Sequence, residues 1–291
     1  MTDLVKNHSA IKSGSPAYKE LQRFLLAVSG GESLKFLNGL VTNDVTLLGE
    51  GEGMRAVFPN AQGRILAPVE LFRVGDTVHV AGPETLRDIV FKNLSRFVPA
   101  GEFFVEDLSD SSRYFELWNF DGNNLAFGGG LRGGVGSGCF VQSANLDALQ
   151  SALSDKGAFE VDADLYETMR LEALVPLWGC DMDENTVVPE IGPDGVISYN
   201  KGCYIGQEVI ARIHFRGHVA KQLRLVVCEG DNKQTDIRGE LISVDGKPAG
   251  RVTSSAFSPN ANQVVGLGMV RYEFLKTGTP LLLGDTRVTV A

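Results

Sequence analysis

Lys201-Gly202-Cys203-Tyr204-Ile205-Gly206-Gln207-Glu208 packs an ammonium, a thiol, a phenol, an amide and a carboxylate into one short stretch with two glycines. Gly202 and Gly206 can take positive φ, or let another backbone or a ligand approach closely. Tyr204 and Ile205 would anchor such a loop against apolar neighbours, leaving Lys201, Cys203 and Gln207 free for chemistry. A plain structural account stands beside this one. Gly202 would end one element, Gly206 would bend the chain, and Gln207 to Ile213 would start the next.

Working outward, Lys201, Arg212, Arg216, Lys221 and Arg224 face only Glu208 in charge between Lys201 and Arg224, inside a chain of formal charge −9. The acidic total argues against general nucleic-acid binding, which needs a basic face. The local surplus reads either as a solvated basic face or as an anion site beside the loop. His214 and His218 have the i, i+4 spacing of a metal pair. Gly217, β-branched neighbours and the missing His-Glu-x-x-His glutamate argue against a zinc site, so no metal is expected.

At 291 residues, 43% hydrophobic and 22% charged, the composition is that of a soluble globular protein of two or three domains. No apolar run approaches the ~20 residues that span a bilayer, so no membrane partner is expected. Met1 to Ser15 is polar, without a signal peptide's apolar stretch, and reads as a loose tail or extra turn. Cys139, Cys180, Cys203 and Cys228 lie far apart with no Cys-x-x-Cys pair, which suits reduced thiols in a cytoplasmic protein.

Strands are expected at Arg23–Val28, on both sides of the turn Pro59-Asn60-Ala61-Gln62, and at Thr77–Ala81. Leu34, Leu37 and Val41 predict a short helix. Another is expected from Pro83, with Leu86, Ile89, Val90, Leu94 and Phe97 on one face. Two more strands fall near Phe103–Leu108 and Arg113–Phe120. The glycine-rich run from Gly128 to Gly138 lacks the Gly-Lys-Ser/Thr of a phosphate loop and reads as a mobile surface loop. Helices follow at Asn145–Leu153 and from about Asp164. After Gly217 only short strands remain, at Leu223–Cys228, Gly239–Val244, Pro248–Thr253, Val264–Arg271, Thr279–Leu283 and Thr286–Val290. Their even spacing predicts a small barrel.

Lys-Gly-Cys-Tyr-x-Gly-Gln-Glu resembles the signature of the YgfZ-type folate-binding proteins of iron–sulfur cluster assembly and repair, relatives of the glycine-cleavage aminomethyltransferase (T-protein). Phe36-Leu37-Asn38-Gly39-Leu40-Val41-Thr42-Asn43-Asp44 and Arg170-Leu171-Glu172-Ala173 resemble further blocks, as do Leu177 to Asp183 and Gly250 to Ser255. The resemblance implies an α+β fold, a three-domain aminomethyltransferase-like ring with a central folate channel and a C-terminal β-barrel. Its domains would be 18–50 with 164–217, 51–163, and 218–291. It implies tetrahydrofolate or a derivative as cofactor and iron–sulfur client or assembly proteins as partners. Cys203 would be the working thiol. Glu172 would hold the pterin, with Lys201, Tyr204, Gln207 and Arg212 also in the folate site. In the aminomethyltransferases a strand carries an Asp-Asp pair against the reacting folate. Here those positions are Ala67 and Pro68, which vacates the base role. Three functions stay open: a folate-dependent accessory protein for iron–sulfur clusters, a tetrahydrofolate-dependent aminomethyl- or methyltransferase, or an RNA- or protein-binding adaptor without folate.

Overall fold

A computed structural model describes residues 2–98, 103–121, 127–131, 135–192, 195–230 and 235–291. The chain opens with α1 (Thr2–Lys12), β1 (Ala17–Leu21), β2 (Arg23–Ser29) and α2 (Ser33–Asn38). Then come β3 (Gly53–Pro59), β4 (Ile65–Val74), β5 (Thr77–Pro83), α3 (Arg87–Ser95), β6 (Phe104–Asp107) and β7 (Ser112–Trp118). They are followed by β8 (Phe127–Leu131), β9 (Ser137–Gln142), α4 (Leu146–Asp155), β10 (Phe159–Glu160), α5 (Ala163–Glu172) and α6 (Gln207–Arg216). Six strands close the chain: β11 (Lys221–Cys228), β12 (Gly239–Ser243), β13 (Pro248–Ser258), β14 (Gln263–Arg271), β15 (Pro280–Leu283) and β16 (Thr286–Val290).

These elements gather into two compact units. One combines Ser9–Val161 with Asp194–Gln207, the other Met1–His8 with Asp162–Pro193 and Glu208–Ala291. The first holds two five-stranded sheets, ordered β10-β1-β7-β9-β8 and β3-β4-β5-β2-β6. Leu25, Phe72, Ala81, Tyr114 and Phe140 form one of its buried clusters. Its return segment, after residue 194, carries the Lys201 loop.

The second unit is built on a closed barrel, β11-β14-β13-β12-β15-β16. Alternate residues such as Val226, Val252, Val270 and Val288 fill its interior. On the outside, Leu171 of α5 packs against Leu223, Leu267 and Met269. Asp162 caps α5 by accepting from the Leu165 N–H at 2.8 Å. All six barrel strands appear in the expected order, although β13 runs past the expected Thr253 to Ser258.

Three expectations fail. The polar start is not a loose tail but the 11-residue α1, which buries His8 and Ile11. The glycine-rich run is not a loop throughout. Residues 127–131 are β8, paired antiparallel with β9, while 132–134 lie outside the described residues. The helix expected from Pro83 begins only at Arg87, because Pro83 ends β5 and Glu84–Leu86 make a 3₁₀ turn. Its apolar face is narrower than predicted, since Val90 and Leu94 are buried and Ile89 is exposed. Among the described residues no helix is long and apolar enough to cross a membrane.

Candidate functional site

The Lys201–Glu208 loop is held from below by its own lysine. Lys201 is buried, and its ammonium donates to the carbonyls of Asn38 at 2.7 Å, Val41 at 2.8 Å and Asn43 at 2.5 Å. These carbonyls lie where α2 ends, the place where a helix leaves acceptors without partners. Nζ also lies 5.0 Å from the centroid of the Tyr204 ring. Burial pulls the Lys201 pKa down to about 8 against the opposing pull of Asp44. With all three donors spent on backbone, Lys201 has none left for an anion. These partners give Lys201, expected in the folate site, a structural role in its own loop.

The rest of the loop is fixed by packing and by one glycine. Tyr204 is buried, which together with Tyr199 pushes its phenol up to about 12. The Ile205 N–H donates to the Gly39 carbonyl at 3.3 Å. Gly206 takes φ +79° with the Asn60 carbonyl against its Cα, so any Cβ would clash with backbone. Thr42 and Asn43 tie the return segment to the same floor. Thr42 Oγ1 donates to Val196 O at 2.5 Å and accepts from the Val57 N–H at 3.0 Å, while Asn43 Nδ2 donates to Arg55 O and Gly195 O. On this rigid base Cys203 is exposed. Gln207 is half-buried and opens α6, its N–H on the Tyr204 carbonyl at 3.2 Å.

Glu172, at the C-terminal end of α5, sits in the other unit inside a ring of donors. His8 Nε2 lies 2.9 Å from Oε2, Asn260 Nδ2 donates to the same oxygen at 2.5 Å, and Ser258 Oγ donates to Oε1 at 2.6 Å. A carboxylate of this kind fits the adjacent N–H donors of a pterin. A pterin would have to displace one of the present donors. Asn260 is exposed and His8 sits on α1, whereas Ser258 is a buried strand residue.

A third polar centre was not singled out from the sequence. Arg170 and Asp181 are both buried and pair at 2.8 Å, while Glu167 accepts from Nε and Nη2 and the Val175 carbonyl accepts from Nη1 at 3.1 Å. Asp181 also accepts from the Leu177 N–H at 2.9 Å, from Thr253 Oγ1 at 2.6 Å and from Ser254 Oγ. Consecutive residues of a strand normally point to opposite faces. A β-bulge between Val252 and Ser254 brings both hydroxyls to one carboxylate oxygen. The only signal in the sequence was that both stretches lie in blocks with a family resemblance.

The remaining expected residues divide. Arg212 is exposed and pairs with Glu208 at 2.7 Å. It belongs with Arg216, Lys221 and Arg224 to the barrel unit, while Lys201 belongs to the other, so the basic stretch is not one patch within a unit. His214 lies on α6, which continues through Gly-flanked sequence to Arg216, and His218 stacks on Tyr272 at 3.6 Å beyond it. Among the described residues no group of His, Cys, Asp and Glu is placed to hold a metal. Ala67 and Pro68 lie in β4, opposite Phe58 and Val57, and contribute no carboxylate. Cys139 and Cys228 are buried, and burial pushes the Cys139 thiol up to about 12.

Residues 221–288 match the family model of the glycine cleavage T-protein C-terminal barrel domain. Over its full length the chain superposes on the crystal structure of the glycine cleavage system aminomethyltransferase T from Bartonella henselae. The TM-score is 0.83 at 20% identity, covering 99% of this chain and 88% of that one. The chain has the aminomethyltransferase fold. An aminomethyltransferase of Rippkaea orientalis is 26% identical over 96% of this chain and 84% of its own length. A chloroplastic protein of Arabidopsis thaliana, named as a candidate transferase, is 22% identical over 89% of this chain but only 66% of its own length. The family model thus covers the barrel strands, and the superposition shows the fold of the chain.

Proposed function

We propose that this chain is a reduced-folate-binding protein of the YgfZ type that serves iron–sulfur cluster assembly or repair through Cys203. The observation that carries the reading is the construction of its loop. An exposed thiol stands on a base made rigid by Lys201, Tyr204 and Gly206, on an aminomethyltransferase fold where Ala67 and Pro68 of β4 stand at the positions that the family resemblance gives to an Asp-Asp pair. Glu172 would hold the pterin, exchanging His8 or Asn260 for the ligand's donors, while Ser258 keeps the carboxylate oriented. Bound folate would supply the nitrogens of one-carbon chemistry. Tyr204 shapes the loop, and Gln207 and Arg212 are the remaining candidate ligand contacts. The division into 18–50 with 164–217, 51–163 and 218–291 belongs to the same reading.

One thiol cannot hold a cluster alone, since such sites usually take four. Cys203 therefore acts in transfer, or shares a cluster with an iron–sulfur client or assembly protein. The test is a deletion strain assayed for iron–sulfur enzyme activities. Cys203→Ser should fold, bind reduced folate as the parent does, and fail to restore those activities. Full rescue by a stable Cys203→Ser protein overturns the reading.

The likeness to aminomethyltransferases along nearly the whole chain favours a second reading, a tetrahydrofolate-dependent aminomethyl- or methyltransferase. Ala67 and Pro68 can neither take a proton nor hold an amine, which weighs against aminomethyl transfer. Folate-dependent methylene transfer from an aminomethyl-lipoyl protein at an enzymatic rate would establish this second reading instead.

A further inference from the structure

A cleft of about 660 Å³ opens in the barrel unit between the Cys180–Thr186 segment and the outer face of the barrel. That volume lies within the range of small-molecule sites. Its charged lining is unevenly committed. Asp181 is spent on Arg170, and Asp183 accepts from the Asn185 N–H and from Thr186 of its own turn. Asp236 and Arg238 satisfy each other at 2.6 Å. Two lining cations are left over. Lys221 makes no ion pair among the described residues, and Arg251 has only Glu240 at 3.8 Å, both side chains being largely exposed.

The strand register sharpens this. Lys221 of β11 stands directly opposite Arg271 of β14, and Arg251 of β13 stands opposite Met269, two residues along the same face. Like charges directly opposite on neighbouring strands repel, and an anion held between them offsets that repulsion. Lys221 and Arg251 line the cleft together with Met269, Thr253 and the exposed Cys180, and Arg271 stands beside it, opposite Lys221.

We propose that this cleft binds a small organic dianion, a phosphate monoester or a dicarboxylate, between Lys221 and Arg251 with Arg271 at its edge. The site uses none of the residues assigned to folate or to the working thiol, so it stands or falls apart from that function. Cys180 serves as its reporter, because it lines the cleft and a bound dianion covers the thiol.

The experiment uses the full chain with 2-glycerophosphate and succinate at constant ionic strength, by calorimetry and by mass-spectrometric rates of iodoacetamide alkylation. At least one probe should bind and slow alkylation of Cys180 while leaving Cys203 unchanged, and the stronger probe identifies the ligand's acidic group. Lys221→Ala with Arg251→Ala should lower that affinity by about tenfold or more, two charged contacts being lost. Both positions are exposed, so an unchanged melting curve is expected, and Lys221→Glu provides a second variant that should abolish binding. The proposal is overturned if neither probe binds, if both variants keep the parent affinity, or if Cys203 is slowed as much as Cys180.

Discussion

Cys203 and Cys180 are both exposed, yet the segments that carry them are anchored by opposite chemistry. Beneath Cys203 lies a buried cation, Lys201, whose three donors meet backbone carbonyls and no carboxylate. Beneath Cys180 lies a buried carboxylate, Asp181, that gathers a guanidinium, an N–H and two hydroxyls. The sulfurs differ accordingly. Cys180 Sγ lies 3.2 Å from Ser254 Oγ and 3.5 Å from the Thr253 carbonyl, whereas Cys203 has no hydrogen-bond partner among the described residues. Exposure alone therefore does not make two thiols equivalent. One is tied into its neighbours' network, and the other is presented by a network that stops short of it.

The comparison breaks most directly at the anchors. Arg170→Met leaves Asp181 buried without its cation and should cost about 3–5 kcal/mol in denaturant unfolding. Lys201→Met leaves three carbonyls without donors and should cost about 3 kcal/mol. If Lys201→Met costs less than about 1 kcal/mol, the ammonium is not the anchor of its loop.

Glu172 extends the contrast, since it too is a carboxylate ringed by donors, but with one donor exposed and another on α1. Glu172→Gln should weaken reduced-folate binding by about 1.5–3 kcal/mol, and His8→Ala should tighten it, both read by calorimetry. Equal affinities in parent and Glu172→Gln move the pterin elsewhere.

A buried base can also be kept neutral. Burial beside Phe72, on which it stacks at 4.7 Å, pushes His79 down to about 4. Its folded pKa lies below the unfolded value, so the unfolded chain takes up the proton first as pH falls. Stability from this group is whole above about pH 6.5 and drains away toward pH 4, with about 2 kcal/mol lost by pH 5. His79→Phe should flatten that part of the acid limb in melts at stepped pH. An unchanged acid limb would show that other groups set it.

The smallest effect is on stability at the thiols themselves. Cys203→Ser should shift unfolding by less than about 0.5 kcal/mol, as befits an exposed side chain. In alkylation of the native chain Cys203 and Cys180 should react, with Cys139 and Cys228 silent until the chain unfolds. Early labelling of Cys139 would contradict its burial.

What could be read in advance follows a physical line. The barrel was legible because alternation and glycine turns are local signals, and β11 to β16 follow them closely. β8 was not, because its glycines disfavour a strand and only pairing with β9 makes it one. α1 was missed because its hidden face holds a histidine and one isoleucine rather than an apolar stripe. Lys201, Cys203 and Glu172 could be named from their motifs. Their surroundings could not, since the carbonyls around Lys201 and the imidazole on Glu172 lie about as far away in sequence as half the chain. The bulge that turns Thr253 and Ser254 together leaves no mark in residue types at all.

The pairing of His8 with Glu172 across 164 residues also sets an order of events while the chain is being made. At ordinary synthesis speeds α1 emerges on the order of ten seconds before its acceptor exists, and the turn at Asn260 comes later still. An 11-residue helix does not hold its shape alone in water over that interval. α1 is thus made well before the carboxylate it docks on, and nascent chains halted before residue 258 would display α1 as accessible, cleavable peptide.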